Sequence, residues 1–392
     1  MLQRCIACEA TYPLDQVCYT CAACGGLLEV RLGAERFADP RFEGRGVWRY
    51  ASMLPGGDGE RVSLREGDTG LYRCDRLGAA LGVKNLYIKN EGDNPTGSFK
   101  DRGMTVGVTW ARRLGFKTVA CASTGNTSAS MAAFAARAGM RAIVLIPDGK
   151  IAMGKLAQAI VHGAEVVRIR GDFDDAMRLV RELSEADGAI YLLNSINPFR
   201  LEGQKTLAFE VVDSLGAPPD AVIAPMGNAG NISAIWKGFT ELECARRIER
   251  LPRMIGAQAE HAAPIVRYLR ESTQECRVAN AETLATAIRI GAPVNWPKAV
   301  AAIRDSGGEA NLVTDDEIIA AQRRLAREEG LFVEPASAAP IAYLARYGVT
   351  AETVVCVCTG HGLKDPDAVL RMPADTKVAE PTMASLRAAL EA

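Results

Sequence analysis

Histidine is scarce: His162, His261 and His361 are all that 392 residues contain. A mechanism built on a histidine base therefore has few candidates, which shifts weight toward a lysine or a bound cofactor. An excess of charge is missing too. Lys and Arg number 46 against 47 Asp and Glu, so no global basic field exists to hold nucleic acid. No apolar run approaches the roughly 20 residues needed to span a bilayer. The start, MLQRCIACEA, has no apolar core after a basic run and does not read as a secretory signal. The expectation is a soluble, cytoplasmic protein with no membrane partner.

What is present is an ordinary globular composition, 48% hydrophobic and 24% charged, in a chain long enough for roughly two or three domains. The 11 cysteines are unevenly spread, five of them between Cys5 and Cys24. "CIAC" and "CAAC" are two C-x-x-C knuckles, Cys5/Cys8 and Cys21/Cys24, with twelve residues between them. Four thiolates so spaced can close a tetrahedron around Zn²⁺ and stabilise a fragment too small for its own core. Cys18, three residues before Cys21, offers a different register. Free thiols in a ribbon that has lost its metal are the bland alternative. The unit is not basic: residues 1–30 contain Arg4 alone against Glu9, Asp15 and Glu29. That argues against a nucleic-acid-binding ribbon, because phosphate backbones need several cations.

From Lys117 onward, short β-rich runs alternate with amphipathic helical runs. "KTVACAS", "RAIVLIP", "EVVRIRG" and "AIYLLN" read as strands. "NTSASMAAFAARAGM", "MGKLAQAIVHG" and "FDDAMRLVRELSEAD" read as helices, and the pattern resumes with "DAVIAPMG", "PRMIGAQA" and "TVVCVCTG". Such alternation predicts an α/β fold with parallel sheets covered on both faces. Ligands of open α/β sheets gather at the carboxyl ends of the strands, so those loops carry the functional reading.

"STGNTSAS" offers Ser123, Thr124, Asn126 and Thr127 at a helix start, which suits an anion or simply caps the helix. "MGNAGNIS", with Gly227 and Gly230, has the makings of an anion nest. It is neither G-x-G-x-x-G nor a P-loop. "LNSINPFRLEGQK" holds Ser195 and Arg200; Arg200 either clamps an anion or is a solvated charge beside an N-cap. "CTGHG" places Thr359 at a strand end, and its glycines suggest a backbone role for the loop around His361.

"GDNPTGSFKDRG", Gly92–Gly103, sets three glycines and a proline around Lys100. A solvated lysine needs no such turn. A loop that must present one amine does, with Phe99 and Lys100 toward a cleft and Asp101 and Arg102 on the rim. Lysine condenses with an aldehyde, and a nest binds phosphate. Pyridoxal phosphate carries both groups.

"NPTGSFKDRG", "STGNTSAS", "NPFRLEGQKT", "GNAGN", "EPASAA" and "TGHGLKD" together resemble the threonine synthases among the fold-type II pyridoxal-phosphate enzymes, from Val62 to Asp365. The resemblance implies two open parallel-sheet lobes preceded by the cysteine unit: residues 1–30 zinc-ribbon-like, 31–100 with 206–392 a large cofactor-binding domain, and 101–205 a small α/β domain. It implies that Lys100 bonds the cofactor aldehyde and moves protons. Phe99 packs at the ring, Asn126 meets the ring 3′-oxygen, and Gly227, Asn228, Ala229, Gly230 and Asn231 cup the cofactor phosphate. Thr359 partners the pyridine nitrogen. Ser123, Thr124 and Thr127 take the substrate carboxylate; Ser195 and Arg200, with Asn228, take the substrate phosphate. Many relatives have Thr-Pro where this chain has Thr69-Gly70, a departure that touches Thr69 alone.

The implied reaction converts O-phospho-L-homoserine and water to L-threonine and phosphate. The alternatives within the fold are a cysteate or cysteine synthase and a threonine dehydratase; Arg200 and Ser195 favour a phosphorylated substrate over the last. The expected ligands are pyridoxal phosphate, a structural Zn²⁺ on Cys5, Cys8, Cys21 and Cys24 remote from catalysis, and the substrate. A second copy of the chain is the expected macromolecular partner, with no nucleic acid.

Overall fold

The computed structural model describes residues 1–148, 153–271, 275–367 and 376–391. Its strands form three sheets. The first is antiparallel, in the order β2-β1-β3, from β1 (Leu2–Cys5), β2 (Thr11–Tyr12) and β3 (Leu28–Arg31). The second has four parallel strands in the order β8-β7-β6-β9: β6 (Thr118–Ala122), β7 (Arg141–Pro147), β8 (Glu165–Ile169) and β9 (Ile190–Leu192). The third has six strands in the order β12-β11-β10-β13-β5-β4. They are β4 (Leu71–Arg73), β5 (Asn85–Asn90), β10 (Ala221–Pro225), β11 (Arg253–Ala259), β12 (Glu309–Val313) and β13 (Thr353–Cys358), and only β4 runs antiparallel.

Both parallel sheets are apolar on both faces, which is why their strands read as near-continuous hydrophobic runs. Successive residues of a strand point to opposite sides. On β10, Ala221 and Ile223 enter one core while Val222 and Ala224 enter another. On β6, Val119 and Cys121 split from Ala120 and Ala122 in the same way. Burial pushes the Cys121 thiol up to about 12, so the strand cysteine is a small apolar residue rather than a nucleophile.

The sequence pattern placed β6 to β11, β13 and the helices Asn126–Ala138, Met153–Val161 and Phe173–Asp187 within about two residues. It did not mark the helices Pro198–Gln204 and Thr206–Leu215, and it missed β4, β5 and β12. β5 runs directly into the Lys100 loop, and its inner position Lys89 is a buried cation bonded to Glu210 at 2.7 Å. A charge inside a strand broke the apolar signature.

Two helices cross closely where they leave β5 and β9. A Cβ on Gly203 would lie 1.7 Å from the Arg102 carbonyl oxygen, and one on Gly103 would lie 2.9 Å from the Arg200 carbonyl oxygen. Gly103 therefore sits inside the helix Lys100–Arg113 and serves helix contact, not a bend in the loop. That contact brings Arg200 beside Lys100. Among the described residues no helix is long and apolar enough to cross a membrane.

The cysteine unit is docked on both parallel-sheet layers. Lys298 Nζ donates to the Leu28 carbonyl and Lys237 Nζ to the Val30 carbonyl, each at 2.6 Å. On the other side the Leu192 N–H donates to the Tyr19 hydroxyl at 2.7 Å.

Candidate active site

Every cofactor and substrate residue expected from the sequence lies in the loop, or in the first turn of the helix, that follows the carboxyl end of β5, β6, β9, β10 or β13. Backbone bonds lace three of these loops. The Phe99 N–H donates to the Thr359 carbonyl at 3.0 Å, the His361 N–H to the Gly97 carbonyl at 2.9 Å, and the Glu334 N–H to the Gly360 carbonyl at 3.0 Å. Gly97, at φ +80°, makes the turn that a side chain would strain. His361 Nδ1 accepts from the Leu363 N–H at 3.1 Å, a local cap in keeping with the backbone role expected of this loop.

Lys100 opens its helix, half-buried, with Nζ 3.7 Å from the centre of the Phe99 ring. Burial, and after it the nearby Arg200 guanidinium, lower the amine to about 7 against the pull of Glu334. A lysine so placed is neutral half the time near pH 7, the form that attacks a carbonyl.

Asp101 and Arg102 are not on the rim. Both are fully buried. Asp101 accepts from the Thr96 N–H at 2.7 Å and from the Thr96 and Ser130 hydroxyls at 2.5 Å. Arg102 makes bidentate pairs with Glu91, at 2.6 and 2.8 Å, and with Glu210, at 2.7 Å twice. It also bonds the Thr69 hydroxyl, which in turn donates to Glu91 at 2.7 Å. The loop needs a keel as well as an amine, and the two residues after Lys100 supply it. Thr69 belongs to that keel.

Arg200 is 2% exposed, so the reading of a solvated charge fails. One guanidinium nitrogen donates to the Leu193 carbonyl at 3.1 Å, while Nε has no partner. Burial lowers the group to about 10. Buried polar groups are nearly always bonded, and an unpartnered cation is costly, so this one is built for an anion.

At the nest, the helix Gly230–Cys244 begins after Ala229, which holds φ 60° and ψ 10°. A non-glycine residue in the left-handed region stores strain of order 1 kcal/mol or more, common where backbone N–H groups are aimed at a ligand. Asn231 Nδ2 and the Ser98 hydroxyl are buried without partners. Asn295 ties the nest to the Ser195 loop: its N–H donates to the Asn228 carbonyl at 3.0 Å and its side-chain amide to the Ser195 carbonyl at 3.0 Å. A Cβ on Gly230 would come within 3.3 Å of the Asn295 amide and of Leu201.

Asn126 opens the helix Asn126–Ala138, and Ser123, Thr124 and Thr127 flank it; Ser123 Oγ accepts from the Gly125 N–H at 3.2 Å. Asn126 Nδ2 donates to both carboxylate oxygens of Glu334 at 3.1 Å. Thr359 is buried, its hydroxyl 3.0 Å from that of Ser337. Glu334, Ser337 and Asn295 were not expected as site residues. Glu and Ser at a Pro-initiated helix start look like capping chemistry, and nothing local marks Asn295.

These observations test the fit of pyridoxal phosphate. An amine of lowered basicity, a helix N-terminus with an orphaned amide, and a hydroxyl at a strand end sit on adjoining loops. They suit an aldehyde, a phosphate and a pyridine nitrogen respectively.

In the cysteine unit, Cys5, Cys8, Cys21 and Cys24 bring their sulfurs within 4.8 Å of one another, and Cys18 is outside the group. Three of the separations are 3.4–3.5 Å. A tetrahedron with metal–sulfur bonds of about 2.3 Å needs about 3.8 Å, so the donor set fits one ion after a small expansion.

The family described as pyridoxal-phosphate dependent enzymes matches residues 62–360. The chain is 57% identical over 385 residues to a threonine synthase of Methanocaldococcus jannaschii, covering 95% of each. It is 52% identical over 401 residues to one of Methanosarcina acetivorans, covering 99% of this chain and 98% of the other. Among solved structures, a threonine deaminase from T.th. superposes with a TM-score of 0.62 at 25% identity, over 75% of this chain and 92% of that one. Maize serine racemase gives 0.64 at 21% identity, over 75% and 88%, a likeness of fold.

Proposed function

The chain belongs to the family of pyridoxal-phosphate dependent enzymes, and from that premise we infer that it is a threonine synthase, converting O-phospho-L-homoserine and water to L-threonine and phosphate. Within the site, one observation carries the choice of a phosphorylated substrate: the buried, incompletely paired Arg200 beside Lys100. A dehydratase has no phosphate to place there.

Pyridoxal phosphate, when bound, draws electrons away from the substrate's α-carbon so that a proton there becomes acidic. The chain's residues do the rest. Lys100 would hold the cofactor's aldehyde carbon, Phe99 would pack at the ring, and the N–H groups of residues 227–231 would hold its phosphate. Asn126 would bond the ring 3′-oxygen. Thr359 would offer a hydroxyl, not a carboxylate, to the ring nitrogen, a partner that would leave that nitrogen largely unprotonated and temper electron withdrawal. Ser123, Thr124 and Thr127 hold the substrate carboxylate at a helix N-terminus. Arg200, Ser195 and Asn228 hold the phosphate that leaves Cγ. Lys100 would take protons from Cα and Cβ, deliver one to Cγ as the phosphate leaves it, and return one to Cα once water has placed its hydroxyl on Cβ and passed its other proton to the departing phosphate; an amine balanced near pH 7 suits both directions.

The division into residues 1–30, 31–100 with 206–392, and 101–205 belongs to the same reading, as do cytoplasmic residence and a homodimer. A structural Zn²⁺ on Cys5, Cys8, Cys21 and Cys24 is supported by the sulfur separations. Stoichiometric zinc in protein purified without chelators is expected, lost in Cys24→Ser and kept in Cys18→Ser. For the enzyme itself the test is phosphate release with phosphohomoserine and phosphoserine side by side, together with threonine formation. The reading requires phosphohomoserine to be preferred; a preference for phosphoserine, or release without threonine, contradicts it.

A further inference from the structure

Among the described residues, Glu334 is a carboxylate that acts on the Lys100 amine, and nothing in the reaction as derived uses it. It precedes the helix Pro335–Tyr347 in the N-cap position, yet its side chain caps no N–H of that helix. It is 3% exposed and packs on Gly360, where a Cβ would lie 2.6 Å from Oε1, beside the Thr359 backbone. From there it reaches across to the small sheet's loop and takes the Asn126 amide on both oxygens. The two oxygens of a carboxylate lie close together, whereas the two N–H groups of an amide diverge widely. One N–H therefore serves both oxygens, and the other remains free for a cofactor oxygen.

Lys100 and Lys364 stand against Glu334 as cations and Asp365 as an anion; Lys364 is itself bonded to the Thr96 carbonyl and to Gln158 and feels Asp101. Lys100 faces Arg200 on its other side. Burial raises the Glu334 carboxyl above its ordinary value, while Asn126 and the two lysines oppose that.

We propose that Glu334 is a positioning residue of the cofactor site: its carboxylate holds the Asn126 amide across the cleft and, packed on the Thr359–Gly360 turn to which the Phe99 N–H is bonded, stands beside the Lys100 amine as its anion. This rests on the cofactor reading of the cleft. A negative charge beside Lys100 favours the protonated form of its bond to the cofactor. Removing that charge lowers the pH at which the proton leaves.

The test uses the holoenzyme, with Glu334→Gln retaining size and Glu334→Ala removing the group. The readout is the pH midpoint at which the visible band of the lysine-bound cofactor shifts. That midpoint should fall by about one unit in Glu334→Gln, a tenfold change in proton affinity. The cofactor dissociation constant should rise about tenfold, with thermal unfolding reporting the fold separately. Glu334→Asp should restore part of the midpoint shift. Losses of cofactor affinity in Asn126→Ala and Glu334→Gln should be less than additive when combined. A midpoint unmoved in both Gln and Ala variants overturns the proposal, as do fully additive losses. Absence of the band in the native protein sinks the cofactor reading itself, and this inference with it.

Discussion

Arg102 and Arg200 lie on two helices in contact, both buried, and they differ in one respect: Arg102 has six hydrogen bonds to side chains, and Arg200 has one to a backbone carbonyl. The first closes a network in which Lys89, Glu91 and Glu210 satisfy one another. The second leaves its buried Nε without a partner. A protein that can pair a buried guanidinium so completely leaves another unpaired where something else is to pair it. Lys100 belongs with Arg200 in this contrast, and Asp101 with Arg102.

The sharpest way to break the contrast is Lys100→Ala. Turnover should fall by about three orders of magnitude or more, since the group proposed to hold the cofactor and move protons disappears at once. Stopped-flow or endpoint phosphate release measures it; the variant should keep weak cofactor affinity through the nest. Next comes the arginine pair itself. Arg102→Met leaves Glu91 and Glu210 buried without their cation and should cost about 3–5 kcal/mol of stability in denaturant unfolding. Arg200→Met should unfold no more easily than the native protein, while the KM for phosphohomoserine rises about tenfold to a hundredfold through lost charge-assisted bonds. Equal destabilisation by both would erase the distinction. Gly230→Val should weaken cofactor binding about tenfold by forcing the Asn295 amide or Leu201 away from the nest, measured by absorbance titration of the apoprotein.

The smallest effects concern pH. Lys100 is lowered to about 7, so its neutral, attacking form is depleted below that value. Cofactor uptake by the apoprotein should slow as pH falls through 7 and level off above it. Glu210 behaves in the opposite sense. Burial alone would raise it, but Arg102 and Lys89 overcome that and hold it at about 2. Its stabilisation is present above the ordinary carboxylate range and is lost as pH falls from there toward 2, a contribution that urea midpoints across the acid range can follow.

Much of this was legible in the sequence because parallel strands and loop glycines leave strong local marks. The runs of β7 and β10, the Gly/Asn turn before Ile232 and the paired C-x-x-C knuckles each announce themselves within a few residues. Partnerships across the fold do not. Arg102 reads as a rim charge until Glu210, more than a hundred residues later, is brought beneath it. β5 is masked by Lys89 for the same reason. Gly103 reads as a hinge until Gly203 lies against it. Glu334 reads as a helix-start carboxylate until Asn126 is seen to take it.

The central claim is that Lys100 is the residue covalently joined to the cofactor. Borohydride reduction of the holoenzyme, followed by digestion and mass mapping, tests it most directly. The account predicts a single pyridoxyl adduct on the peptide carrying Lys100, absent from Lys100→Ala. An adduct on any other lysine in the native protein, or a reducible linkage that survives in Lys100→Ala, contradicts it.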